Sequence, residues 1–299
     1  MPDRHWPRAI ERPLTLLRGL VAPTATSAAT SAATSAAIGQ RSILEAYVTS
    51  APTAQNAIDI FKGEWSSELP APFQQVQAGT IKLFEDFRMH WALKALGGVA
   101  DQTVLELGPL EAGHTYILEQ AGAKAITAVE ANTRAYLKCL VIKELVGLTR
   151  TRFLCGDFVE YLRATPPRVD LCIASGVLYH MRNPVELIEL ISQVADRVFI
   201  WTHYYDAAII QANPRLASTF SPPITQVQGG FAHELHRHDY AAALDRSDFC
   251  GGSSHYTHWL TRAQLLESLA HFGFSQIQIN FEQLDHVHGP ALTLIATRG

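Results

Sequence analysis

The chain reads as an α/β protein built on a doubly wound sheet of about seven strands, mostly parallel and closed by an antiparallel C-terminal hairpin, and three observations carry that expectation. An apolar strand, Val104-Leu105-Glu106-Leu107, carries an acid near its end and breaks at once into the turn Gly108-Pro109-Leu110-Glu111-Ala112-Gly113. About twenty residues later the pattern recurs as Ala128-Val129-Glu130-Ala131-Asn132. Finally, strands near 103–108, 125–130, 151–155, 169–174 and 197–202 alternate with helical stretches near 113–121, 132–147, 157–163 and 184–195. Such alternation requires right-handed crossovers between parallel strands.

The remaining elements follow in order. Residues 1–40 read as a low-complexity, mobile arm, because the Ser-Ala-Ala-Thr repeats over Thr24 to Ala37 offer little surface to bury against the entropy of ordering. A helical cap is expected over 41–100. Its first part carries Ile43, Leu44, Tyr47, Val48, Ile58 and Ile60 around a break at Ala51-Pro52, and its second runs from Leu83 through Trp91 to Leu96 and closes at Gly97-Gly98. The ligand-binding domain is expected over 101–299. Within it, a long insertion of about 204–258, rich in His, Tyr, Gly and Pro, suggests a substrate lid. The segments Gln276 to Phe281 and Ala291 to Thr297 form the closing hairpin, and Thr261 is the N-cap of the helix before it.

Composition narrows the function classes. With 17% charged residues and net charge −4, the chain gives no electrostatic reason to expect nucleic-acid binding. Cys139, Cys155, Cys172 and Cys250 lie far apart without a C-x-x-C pair, so we expect free thiols and a cytoplasmic location. No apolar run approaches the roughly twenty residues of a membrane span. The stretch Leu14 to Leu20 is interrupted by Arg18, which argues against a secretory signal.

The chemistry starts at the two acid-ended strands. A carboxylate at Glu130 is placed to accept both hydroxyls of a ribose, and the Gly108 turn lets a ligand approach the first strand's backbone. Further on come Cys155-Gly156-Asp157-Phe158 and the run Val169-Asp170-Leu171-Cys172-Ile173-Ala174-Ser175-Gly176-Val177-Leu178-Tyr179-His180. In order and spacing these segments resemble the motifs of class I S-adenosylmethionine (SAM) dependent methyltransferases, from about Asp101 to the C-terminus. The stretch Gly176-Val177-Leu178-Tyr179-His180-x-x-x-Pro184 resembles a branch that holds tRNA wobble-uridine carboxymethyltransferases and many small-molecule and sugar methyltransferases.

That resemblance implies a Rossmann-like sheet, SAM as cofactor and S-adenosylhomocysteine (SAH) as product. It also implies roles. Glu106 would orient the amino-acid end, with Gly108, Pro109 and Gly113 forming the turn. Glu130, Ala131 and Asn132 would hold the ribose, Asp157 and Phe158 would frame the adenine, and Ser175 and Gly176 would complete the site. One departure is Pro109, where the family usually has a second glycine; proline stiffens the turn and removes a donor, while Glu111 adds a carboxylate to it.

For the acceptor side, Tyr179 and His180 follow the fourth strand and His203 ends the fifth, at the edge where open α/β sheets bind ligands. A histidine with an ordinary pKa near about 6.5 suits a base that takes a proton from a hydroxyl or amine. The bland alternative for His180 is packing of the turn before Asn183-Pro184. Candidate substrate contacts are Trp65 and Arg88 of the cap, with Tyr204, Tyr205, His255, Tyr256 and His258 of the insertion; packing is the commoner role for such aromatics. Gly251-Gly252-Ser253-Ser254 reads as a hinge. His233, His236 and His238, beside Glu234 and Asp239, have metal-ligand chemistry but match no firm metal spacing, so we expect a polar lid and no metal.

The functional expectation is methyl transfer from SAM to an oxygen or nitrogen of a small-molecule or sugar-containing metabolite, with neither nucleic acid nor membrane as partner. The oligomeric state stays open. The alternatives are a tRNA-modifying (carboxy)methyltransferase and a catalytically silent SAM-binding partner subunit. An NAD-dependent dehydrogenase is less well supported, since the first turn lacks G-x-G-x-x-G.

Overall fold

In the chain order of the computed structural model, α1 (Ala54–Ile58) and α2 (Phe87–Ala95) precede β1 (Thr103–Leu107), α3 (Gly113–Gln120), β2 (Ala125–Glu130), α4 (Thr133–Val146), β3 (Thr151–Cys155) and α5 (Phe158–Arg163). Next come β4 (Leu171–Ser175), α6 (Pro184–Val194), β5 (Arg197–His203), α7 (Ala207–Ala212), α8 (Pro214–Ala217), β6 (Ile224–Gln228), β7 (Phe231–Asp239) and β8 (Tyr256–Trp259). The chain closes with α9 (Arg262–His271), β9 (Gln276–Gln283) and β10 (Ala291–Thr297). The structure describes residues 46–164, 166–245 and 251–299. It divides into units Met1–Thr49 and Ser50–Gly299, and all of these helices and strands belong to the second. The expected arm over 1–40, the apolar positions Ile43 and Leu44, and Cys250 lie outside the described residues.

Seven strands form one sheet in the order β3-β2-β1-β4-β5-β10-β9. The first five are parallel, and β10 runs antiparallel to both β5 and β9. This is the fold class expected from the sequence. The order reverses between β1 and β4, which opens a crevice outside their C-terminal ends.

Both faces of the sheet are covered, and the period of two along each strand explains how. Leu105 and Leu107 of β1, with Cys172 and Ala174 of β4, pack against Val185, Ile188 and Ile191 of α6 and Leu265 and Leu269 of α9. Val104, Leu171 and Ile173 face the other way, onto Met89, Ala92 and Leu93 of α2 and Ile117 and Leu118 of α3. Helix ends follow local chemistry. The Asn132 side chain accepts the N–H groups of Arg134 and Ala135 to start α4, and Gly147, with φ 71°, closes it. Asn183 caps α6 with Pro184 in the first turn, and Thr261 caps α9 as expected.

The segment before β1 is less helical than the sequence suggests. Among the described residues it consists of the five-residue α1, the nine-residue α2 and 3-10 turns at Asp59–Phe61 and Leu83–Glu85, joined by extended and turn segments. Gly63, Pro70, Pro72 and Gly79 interrupt any longer helix. Ile58, Phe61, Trp65, Leu69 and Phe84 of this segment pack on Cys139 and Ile142 of α4. The insertion after β5 is also more regular than a loop. It contains α7, α8 and an antiparallel sheet in the order β6-β7-β8.

Candidate active site

A cavity of about 590 Å³ opens at the C-terminal ends of β1, β2 and β4. Of the expected cofactor residues, Glu106, Gly108, Pro109, Gly113, Glu130, Ala131, Asn132, Phe158, Ser175 and Gly176 line it. Asp157 does not; its carboxylate accepts Val159 N–H at 2.7 Å and caps α5.

The turn after β1 is held in an unusual backbone. Gly108 has φ 64°, and a Cβ built on it would stand 2.8 Å from Val177 Cγ1. Leu110 and Ala112 are also left-handed, at φ 53° and 61°, a conformation that L-residues seldom adopt. Pro109 contributes its carbonyl, which accepts Ala112 N–H at 2.8 Å. A Cβ on Gly113 would lie 2.8 Å from the Leu83 backbone, so its missing side chain lets the 3-10 turn at Leu83–Glu85 sit on the start of α3. Glu111 faces away from the cavity. It is buried, accepts the N–H groups of Ser66 at 3.0 Å and Ser67 at 2.8 Å, and pairs with Lys138 at 2.6 Å.

The two acids expected at the strand ends converge on the cavity. Glu130 accepts Leu110 N–H at 3.1 Å through Oε2 and Asn132 N–H at 2.8 Å through Oε1. Burial raises its pKa against the pull of those backbone donors. Glu106 accepts a hydrogen bond from Thr115 Oγ1, and burial raises its pKa while the neighbouring His114 opposes the rise.

Tyr179, His180, Trp201, Arg88 and His114 also line the cavity. Tyr179 packs edge-on against Trp201 and His203 at ring distances of 5.7 and 4.7 Å. His180 Nδ1 lies 2.6 Å from Tyr240 Oη. Burial pushes the His180 imidazole down to about 3, helped by His203 and His238 nearby. His203 sits behind Tyr179, stacked on Trp259, and its Nδ1 is 2.9 Å from the Gly289 carbonyl. Burial lowers its pKa to about 4, with His286 adding to the fall.

Arg88 is the expected substrate residue that lines this cavity. Trp65 is buried in the N-terminal segment, donating Nε1–H to the Ile58 carbonyl at 2.8 Å. Tyr204 is buried and donates to Glu282 at 2.9 Å, while Tyr205 stacks on His236 at 3.7 Å. Tyr256 accepts from Arg182 Nη2 at 2.7 Å, His258 Nδ1 faces the Arg182 carbonyl at 2.6 Å, and His255 is exposed. Gly252 and Ser253, part of the expected hinge, border the cavity.

The sequence reading missed Asp86 and His114. Asp86 is the N-cap of α2, and its buried carboxylate accepts Arg88 Nη2 at 2.7 Å and lies 2.8 Å from His114 Nε2. Burial would raise its pKa, but the hydrogen bonds from His114 and Arg88 more than offset that and hold it well below the usual carboxylate range. A capping pattern at Asp86 was readable in the sequence; its contact with His114, 28 residues on, was not.

The histidines of β7 are spent on packing. His233 stacks on Phe231, His236 on Tyr205 and His238 on Trp259. Among the described residues no three His, Cys, Asp or Glu side chains gather as ligands for one ion. Cys139 and Cys172 are buried free thiols and Cys155 an exposed one. No described helix is long and apolar enough to cross a membrane.

No protein-family profile matches the chain. Among solved structures, the N-terminal domain of EvdMO1, crystallised in the presence of SAH and D-fucose, superposes with a TM-score of 0.63 at 22% identity, covering 82% of this chain and 95% of that one. The longer EvdMO1 structure matches with a TM-score of 0.55 at 18% identity, and this chain spans 46% of it. A tRNA U34 carboxymethyltransferase from Cellvibrio japonicus (strain Ueda107) is 28% identical over 115 residues, which cover 37% of this chain and 36% of the relative. The fold is therefore the Rossmann-like one that the motif resemblance implied, shared with the EvdMO1 domain.

Proposed function

We propose that the chain is a SAM-dependent methyltransferase that transfers a methyl group to an oxygen or nitrogen of a small-molecule or sugar-containing metabolite. The observation that carries this reading is the convergence of two buried carboxylates, Glu106 and Glu130, from adjacent parallel strands onto one cavity of about 590 Å³. The donor set fits the cofactor. A carboxylate has about four lone-pair sites, and the Glu130 oxygens accept the backbone N–H groups of Leu110 and Asn132, with Ala131 N–H adding its pull, which leaves capacity for a ribose hydroxyl. Glu106 is an acceptor suited to an α-ammonium group. Ala131, Asn132 and Phe158 would complete the nucleoside side, and Ser175 and Gly176 the floor.

When bound, SAM supplies a methyl carbon already activated by its sulfonium, so the protein's task is alignment and exclusion of water. Tyr179 and His180 bound the acceptor end of the cavity. His180 is held neutral at physiological pH by burial, so it acts as a lone-pair acceptor and orienting group there, while His203, neutral for the same reason, backs Tyr179. The structural likeness to a domain crystallised with D-fucose favours a sugar-type acceptor. The free thiols favour a cytoplasmic location.

A tRNA acceptor is the second reading, favoured by the local likeness to the U34 carboxymethyltransferase. Net charge −4 speaks against it. Calorimetric titration of the full-length protein with SAM, SAH and NAD, repeated with Glu130→Ala, tests the cofactor assignment. SAH binding that the variant loses supports the proposal; a wild-type protein that binds NAD and neither adenosyl ligand overturns it. SAH release in the presence of monosaccharides, amino sugars or bulk tRNA then separates the acceptors, and binding without any turnover across the panel favours a silent partner subunit.

A further inference from the structure

Two histidines, His114 and His180, line the cavity and His203 stands behind Tyr179, and their hydrogen-bond partners differ in kind. His180 faces a tyrosine hydroxyl and His203 a backbone carbonyl. His114, on the first turn of α3, lies 2.8 Å from the buried carboxylate of Asp86. A carboxylate that is ionised can only accept, so the proton between them sits on His114 Nε2. In the neutral ring this tautomer leaves the lone pair on Nδ1. That nitrogen accepts no hydrogen bond from a described residue and, unlike Nε2 of His233, it is not sealed inside the protein. His114 lines the cavity beside Glu106.

We propose, resting on the methyltransferase reading, that His114 is the catalytic base that takes the proton of the methylated hydroxyl or amine, and that Asp86 is its positioning residue. The acceptor atom forms its bond to the methyl carbon as that carbon leaves sulfur, whose bonding pair stays on sulfur. The acceptor's proton passes to His114 Nδ1. The resulting imidazolium is held by Asp86, at the start of α2, and it later releases the proton to solvent. Arg88 completes the set of charges around it; its guanidinium is paired with Asp86 and lies 4.6 Å from the Trp201 ring centroid, so its positive charge is largely offset. Neither His180 nor His203 can play this part equally well. Burial and neighbouring histidines disfavour a positive charge at His180, and among the described residues no carboxylate hydrogen-bonds either ring to compensate.

The test is made on full-length protein saturated with SAH, using nitrogen NMR of labelled histidine to read the tautomer of His114, assigned by its loss in His114→Gln. A bare Nδ1 with a protonated Nε2 at the pH used for turnover supports the proposal, as does loss of that single tautomer in Asp86→Asn. A ring that is doubly protonated at that pH, or bare at Nε2, overturns it. With any acceptor that the wild type methylates, His114→Gln lowers kcat by about 100-fold or more while SAH affinity holds, and Asp86→Asn shifts the acid limb of the pH profile. Unchanged kcat in His114→Gln overturns the proposal. Failure of the wild type to bind SAH instead removes the methyltransferase reading, and calorimetry reports that separately from the histidine signal.

Discussion

Glu111 Oε1 meets Lys138 Nζ at 2.6 Å, with both side chains buried, and through this pair the turn after β1 is tied to α4 and to the segment at Ser66 and Ser67. Breaking one side of a buried pair leaves the other charge without compensation. Glu111→Ala is expected to destabilise the fold by about 3–5 kcal/mol, because Lys138 and two backbone donors lose their acceptor together. The double change Glu111→Met with Lys138→Met is expected to cost less than Glu111→Ala alone. Urea unfolding of the three proteins checks this; equal stability of Glu111→Ala and wild type would show that the pair holds nothing in place.

Gly108→Ala combines two penalties at the cavity floor. The left-handed backbone costs an alanine about 1–2 kcal/mol, and the new methyl would press on Val177 at 2.8 Å. Lower thermal stability and weaker SAH binding are expected together. Adding Val177→Ala should restore part of the stability, since it relieves the clash but not the backbone. A Gly108→Ala protein with wild-type melting and affinity would contradict this account.

Glu130→Gln keeps the shape of the side chain and removes its charge. Loss of charge-assisted hydrogen bonds worth about 1.5–3 kcal/mol predicts SAH binding weakened by about 10- to 100-fold, read by calorimetry. Unaltered affinity would place the nucleoside elsewhere.

Acid should unfold this protein through its neutral histidines. Burial lowers His180 to about 3, and His203 and His238 to about 4. In the unfolded chain these rings take up protons below about pH 6.5, whereas the folded rings refuse them until much lower pH. The unfolded state thus binds more protons in that window. Stability from this source is fully present above about pH 6.5 and falls as the pH drops toward about 4, by up to about 1.4 kcal/mol per pH unit for each ring. Urea midpoints measured at about pH 7 and about pH 5 should differ accordingly, and His238→Phe should flatten the slope by one ring's share. A midpoint constant across this range would rule the account out.

The strands and the lining that Glu106, Gly108 and Glu130 give the cavity were legible because their signals are local. The buried, largely apolar runs of β1 and β4, the acid at Glu130 and the cap at Thr261 are each set by residues within a few positions. The lining around Arg88 and His114 is assembled from distant pieces. Asp86 reaches His114 because Gly113 lets the Leu83–Glu85 turn settle on α3, a contact that neither segment announces alone. Glu111 stands in a ligand-facing turn yet points out of it, since Lys138 and the backbone of Ser66 attract it. In the insertion, Tyr204, Tyr205, Tyr256 and His258 have the composition of a binding surface, but packing and hydrogen bonds within the insertion's own sheet and its supports occupy them.

The insertion leaves the main sheet after β5 and returns at α9, and these two points touch: Tyr205 bridges Thr261, and Tyr205 N–H bonds the Leu260 carbonyl at 2.8 Å. A segment whose ends are clasped side by side behaves as a cassette. Its length and contour can change while β5 and α9 keep their places, as with insertions at clasped surface sites generally. The half of the cavity built by Glu106 and Glu130 lies on strands that such an exchange would leave alone. Among the described residues the insertion reaches the cavity only through Gly252 and Ser253, so exchanging the segment between Tyr205 and Thr261 is expected to leave Glu106 and Glu130 in place.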